Sequence, residues 1–153
     1  MVSKFKNVMK NKFAMSDLGL LNYFLGMEIV QKQDGIFLSQ ESYAKKLLKK
    51  FNMEECKIMT TPLIPQRKHQ KEQEESADSK VYRNLVGIML YLTATRPDLM
   101  FAASYLSRYL KEPTTSHRKD AQRVLRYIKG MIDMGLWFTK AKEARLIGYS
   151  DSD

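Results

Sequence analysis

Asp34-Gly35 sits between two runs rich in aromatic and β-branched residues, NYFLGMEIVQ before it and IFLSQ after it. Asp-Gly between such runs is among the strongest short-range hairpin signals, because both residues accept the unusual backbone angles of a tight reversal. The pair predicts strands near 22–32 and 35–38. What flanks it is helical in period. Val2, Phe5, Val8, Met9 and Phe13 recur at three- and four-residue spacing, with lysines between them, which predicts an amphipathic helix.

After the hairpin, Ser39 is a candidate cap for a second helix. In that helix Tyr43, Ala44, Leu47, Leu48 and Phe51 form one stripe, and Lys45, Lys46, Lys49 and Lys50 lie elsewhere around it. From about Ile58 to Lys80 periodicity is lost, two prolines appear and charges mix, as expected of a linker. Beyond it, Tyr82, Leu85, Val86, Met89, Leu90 and Leu92 predict a helix apolar on most sides. Thr95-Arg96-Pro97-Asp98 matches a Ser/Thr-x-x-Asp/Glu helix start, with the helix running to about Tyr109. Pro113 and the hydroxyls at 114–116 announce another, ending at Gly130. Its Ala121, Val124, Leu125 and Ile128 should face inward, with Arg118, Lys119, Arg123, Arg126 and Lys129 outward. GLWFTK and RLIGYSD then read as two strands of a terminal hairpin. The fold class expected is α+β.

The 153 residues suit one domain or two small ones, and 44% hydrophobic residues are enough for a packed core. The formal net charge of +9 makes a polyanionic partner worth considering. Residues 1–58 carry +4, 59–80 are neutral and 81–153 carry +5, so both periodic parts are basic. Cys56 stands alone, which excludes an internal disulfide or a cysteine-based zinc site, and a reducing intracellular compartment fits. His69 and His117 lie at no ligand spacing from another His or Cys. No apolar stretch approaches a membrane span, and residues 1–13 lack the apolar run of a signal peptide.

Three features could carry chemistry. The lysine helix could track a phosphate backbone, because ammonium groups near successive phosphates release counterions; a solvated helix face accounts for it as well. Gly26 in YFLGMEIV would weaken a strand and marks a bulge or the close approach of another backbone, although packing alone explains the aromatics around it. In the terminal strand Asp151 and Asp153 would share a face roughly 6–7 Å apart. Such carboxylates can hold Mg²⁺, and a frayed polar end reads the same way.

In order along the chain, FAMSDLGLLNYFLGMEI, GIFLSQESYAKKLLKKFNMEECK, TTPL, YRNLVGIMLYLTATRPDLMFAASYLSRYL, RVLRYIKG, GLWF and LIGYSDSD resemble the Pol polyprotein of copia-type retrotransposons. The resemblance implies the C-terminal part of a reverse transcriptase over 1–57, a linker over 58–80, a helical connection over 81–130, and the start of a ribonuclease H over 131–153. It implies that Phe24, Leu25, Gly26 and Met27 form the hairpin that holds the primer terminus. Lys45, Lys46, Lys49 and Lys50 would belong to a thumb-like helix against an RNA/DNA template-primer. Asp151 matches the first metal-binding carboxylate of ribonuclease H, which uses Mg²⁺, whereas Asp153 has no catalytic counterpart.

Two departures stand out. The family's Tyr-Val-Asp-Asp sequence does not occur in the chain, and Arg118 replaces a common tryptophan. The expectation is a truncated fragment of an RNA-directed DNA polymerase and ribonuclease H, inactive by itself and located in the cytoplasm or nucleus. The alternatives are a non-catalytic nucleic-acid-binding module retained from the element, and a decay product with uncovered surfaces.

Overall fold

The computed structural model describes residues 1–64, 75–140 and 148–150. Helix α1 (Val2–Lys12) leads into a meander of β1 (Tyr23–Phe24), β2 (Met27–Gln31) and β3 (Gly35–Ser39), followed by α2 (Glu41–Lys50). After the linker come α3 (Ser79–Leu92), a 3-10 turn at Pro97–Leu99, α4 (Met100–Ser107), α5 (Thr115–Gly130) and β4 (Gly135–Thr139). The molecule is mixed α+β.

The core is helical. Ala44, Leu47 and Leu48 of α2 meet Tyr82, Leu85, Val86 and Met89 of α3, Ala102, Ala103 and Leu106 of α4, and Ala121, Val124, Leu125 and Ile128 of α5. These are the apolar positions that recur at helical spacing, so burying the stripes in one place is what unites the segments on either side of the linker. No strand residue belongs to this core cluster.

The four strands form one antiparallel sheet in the order β1-β2-β3-β4. β4 lies on the far edge of β3, from Gly35 opposite Thr139 to Ser39 opposite Gly135. Residues 135–139 thus join the strand built by 35–39. The predicted pairing of GLWFTK with RLIGYSD falls largely outside the described residues.

Several local expectations are corrected. The strand predicted over 22–32 is two strands, separated by a tight turn at Leu25-Gly26, where φ is +49° and +81°. Positive φ at both central residues suits the right-handed twist of a two-residue hairpin. Asp34-Gly35 does mark a reversal, but Gly35 is not its left-handed residue. It is the first residue of β3 and lies buried, where an added Cβ would come 2.5 Å from the Phe138 carbonyl oxygen and 2.7 Å from the Trp137 ring.

Ser39 does not cap α2. It ends β3, and the N–H of Ser42 instead donates to the Glu28 carboxylate at 2.7 Å. A carboxylate reaching from β2 satisfies an open helix-start donor and complements the helix dipole, which a serine hydroxyl does less well.

The Thr95-Arg96-Pro97-Asp98 stretch is also not a capping box. The buried Thr95 hydroxyl donates to Gln40 Oε1 at 2.8 Å. The buried Arg96 forks onto Asp98 through Nε at 2.9 Å and Nη2 at 2.7 Å, and its Nη1 reaches the Met131 carbonyl at 2.7 Å. Tyr127 adds a hydroxyl to Asp98 Oδ2 at 2.9 Å. Desolvation pushes the Asp98 carboxyl up, but the hydrogen bonds from Arg96 and Tyr127 outweigh it and hold it below the ordinary range. α4 ends at Ser107 rather than Tyr109.

For α5 the expected bounds stand, and Arg118 and Lys119 are exposed, but Arg123, Arg126 and Lys129, expected outward, are half-buried and bond residues 56–61 instead. Thr114 caps it, and His117 completes a reciprocal box by accepting from the Thr114 N–H at 3.0 Å. His117 is buried and stacks on Tyr109 at 3.8 Å. Arg118 is exposed.

Candidate nucleic-acid interface

The β1–β2 turn presents Phe24 and Leu25 to solvent, with Leu25 70% exposed. A leucine at positive φ costs roughly 1–2 kcal/mol relative to right-handed backbone. Something must hold the turn in place. The Tyr91 hydroxyl, from α3, donates to the Leu25 carbonyl at 2.6 Å. The same hydroxyl occupies the space that a side chain at Gly26 would need. The close approach that the glycine allows is therefore made by a tyrosine of the same chain.

Tyr91 is in turn set by Tyr43 of α2, whose ring meets it edge-on at 4.8 Å. Burial, and then Tyr91, raise the Tyr43 hydroxyl above its ordinary value. The hairpin tip, α2 and α3 are thus linked through two tyrosines, and Glu28 ties the base of β2 to the start of α2. Met27 is half-buried behind the tip. Neither Tyr91 nor Glu28 was legible as a site residue, because no local pattern links either of them to its partner.

Of the four α2 lysines, Lys45 bonds Glu41 at 2.6 Å one turn earlier, and that hydrogen bond raises its pKa. Lys50 donates to Asn84 Oδ1 at 2.9 Å and lies over the Phe51 ring. Lys46 and Lys49 are exposed, which leaves this pair as the strongest candidates for an outside anion. Asp151 lies outside the described residues.

Residues 1–65 match the family model described as reverse transcriptase (RNA-dependent DNA polymerase). The chain is 37% identical over 145 residues to an uncharacterized mitochondrial protein of Arabidopsis thaliana, covering 95% of this chain and 60% of that protein. It is 36% identical over 146 residues to the retrovirus-related Pol polyprotein from transposon RE1 of the same plant, covering 95% of this chain and 10% of the polyprotein. Against the Pol polyprotein from transposon TNT 1-94 of Nicotiana tabacum it is 34% identical over 163 residues, covering all of this chain and 12% of the other. The chain belongs to the copia-type reverse transcriptase family.

No solved structure matches this copia-type chain. It spans 10% and 12% of the two Pol polyproteins. The family implies a divalent metal in the whole polymerase. Among the described residues no three of His, Cys, Asp or Glu come together in a way that could hold one. The described part of this chain therefore does not fit a metal centre. No helix among the described residues is long and apolar enough to cross a membrane.

Proposed function

We propose that this copia-type segment positions an RNA/DNA template-primer for RNA-directed DNA synthesis in a longer Pol polyprotein, without itself doing the chemistry. The strained Leu25-Gly26 turn carries this reading. A large apolar residue held at positive φ and 70% exposed contributes little to stability, and such strain clusters where a surface must meet a ligand. Phe24, Leu25, Gly26 and Met27 would face the primer end, and the α2 lysines the phosphate backbone. In finer terms, residues 1–57 would be the palm-end hairpin and thumb-like helix, 81–130 the connection, and 131–153 the entry to ribonuclease H with Asp151 as its first Mg²⁺ ligand. The cytoplasm or nucleus is the corresponding location.

Two-metal phosphoryl transfer needs several carboxylates converging on ions about 3.5–4 Å apart. The 153 residues contain no two adjacent aspartates. The isolated chain, supplied with a primed template, nucleotides and Mg²⁺, should leave the primer unextended. Extension that depends on both the metal and this chain would overturn the non-catalytic reading. The second reading, a binding module retained from the element, rests on the exposed Lys46 and Lys49 and needs no polyprotein.

A further inference from the structure

Away from the hairpin tip, α5 and residues 53–64 enclose a cavity of about 450 Å³. Four cationic residues line it: Lys57, Lys119, Arg123 and Arg126. The single carboxylate in its wall, Asp120, is buried and acts electrostatically on Tyr82. Among the described residues none of the four cations makes an ion pair. The two arginines bond neutral groups. Arg123 Nη2 donates to the Thr61 hydroxyl at 2.9 Å and its Nη1 meets Met59 Sδ at 3.4 Å; Arg126 Nε donates to the Lys57 carbonyl at 2.6 Å. Arg123 Nε–H is buried with no acceptor among the described residues.

The loop thus holds two guanidinium groups in fixed orientations without cancelling their charge. Cationic groups gathered in one cleft repel one another, and an anion placed among them relieves that repulsion. Lys119, Arg123 and Arg126 stand at i, i+4 and i+7 of α5, on one helix face over about 10 Å. Phosphates of one strand rise about 3.4 Å apiece along a duplex axis, so the row is long enough to face more than one of them. A small single anion would engage only part of it.

We propose that this cleft binds the phosphodiester backbone of a nucleic-acid strand, with Lys57, Lys119, Arg123 and Arg126 meeting its phosphates. It is a second binding surface beyond the hairpin and α2, and it rests on the reading that this chain holds template-primer.

The test is amine acetylation of the purified chain with and without an RNA/DNA duplex at ~50 mM salt, read lysine by lysine by mass spectrometry. Lys111, exposed beside Glu112, serves as the internal reference. Lys57 and Lys119 should become several-fold less reactive with duplex, and recover at high salt. If Lys46 and Lys49 are shielded while Lys57 and Lys119 track Lys111, the cleft proposal fails and the α2 assignment stands. Shielding of Lys57 and Lys119 alone supports the cleft and removes α2. No shielding anywhere removes both. Shielding of the cleft by a polyglutamate peptide but not by duplex overturns the proposal in favour of an acidic protein partner. A second readout is the double variant Lys57→Gln/Lys119→Gln, which should fold normally because both ammonium groups stand outside the hydrophobic core. It should bind duplex with a log K versus log salt slope shallower by about 2, one for each phosphate left without its lysine. An unchanged slope would contradict the proposal.

Discussion

Leu25 is where local preference and tertiary demand conflict. Its left-handed backbone is held by the Tyr91 hydrogen bond and by the tight hairpin geometry. Leu25→Asn, which tolerates that conformation, should raise stability by about 0.5 kcal/mol. A denaturation midpoint that falls would argue against strain there. Gly26→Ala should cost more than about 1 kcal/mol, since it adds a steric clash with Tyr91 to a positive φ. In a Tyr91→Phe background the added cost should shrink, because the hydroxyl is gone; a double-mutant cycle in chemical denaturation reads this coupling directly. The sequence offered a bulge or a close approach at Gly26. It could not show what approaches, because Tyr91 lies 65 residues further on and no local pattern links the two.

Asp98 makes a titration prediction. Its pKa is lowered in the folded state, so the folded form binds its proton less readily than the unfolded chain does. The stability this contributes is complete above the ordinary carboxylate range near 4 and is lost as pH falls through the lower folded value. Asp98→Asn should therefore be less stable than the wild type at neutral pH, with the gap closing in acid. A gap independent of pH would show that the carboxylate charge is not what Arg96 and Tyr127 hold.

Among the elements, the helices were the most legible in sequence, because an apolar stripe at a period of 3.6 residues depends only on near neighbours. The four aliphatic residues of α5 expected to face inward are all buried, yet Ser116, His117, Asp120 and Tyr127, also buried, were not singled out, since polar groups enter a core only when tertiary partners exist for them. The strands were less legible. β4 pairs with a strand 100 residues earlier, and nothing in GLWFT specifies that partner. The cap of α2 also comes from outside the helix. Glu28→Ala should cost about 1 kcal/mol and speed amide exchange at Ser42 first. Equal protection at Ser42 in both proteins would show that the carboxylate is not a cap. Gly35→Ala should displace β4, whose Phe138 carbonyl and Trp137 ring fill that space. Exchange should then rise along the β3–β4 ladder while the helical core stays protected.

Over the whole molecule, the core joins both sides of the linker but leaves other apolar surface open. Val2, Phe5, Val8 and Phe13 on and beside α1 are exposed, as are Val30, Ile36, Trp137 and Phe138 of the sheet. Helix α1 buries no residue, and its Lys6 pairs with Asp17 at 2.7 Å on the surface, an ion pair of small worth. Phe5→Gln with Val8→Gln should therefore leave the stability of the isolated chain within about 0.5 kcal/mol of wild type. A larger loss would mean that this face is covered. The same openness fits a segment that spans 10% of a Pol relative.

The measurement that bears most directly on the central claim is equilibrium binding of the purified chain to a fluorescent RNA/DNA primed template across a salt series. The account predicts binding at ~50 mM salt that weakens linearly in log K against log salt, with a shallower slope for Lys46→Gln/Lys49→Gln. No detectable binding at ~50 mM salt would contradict it.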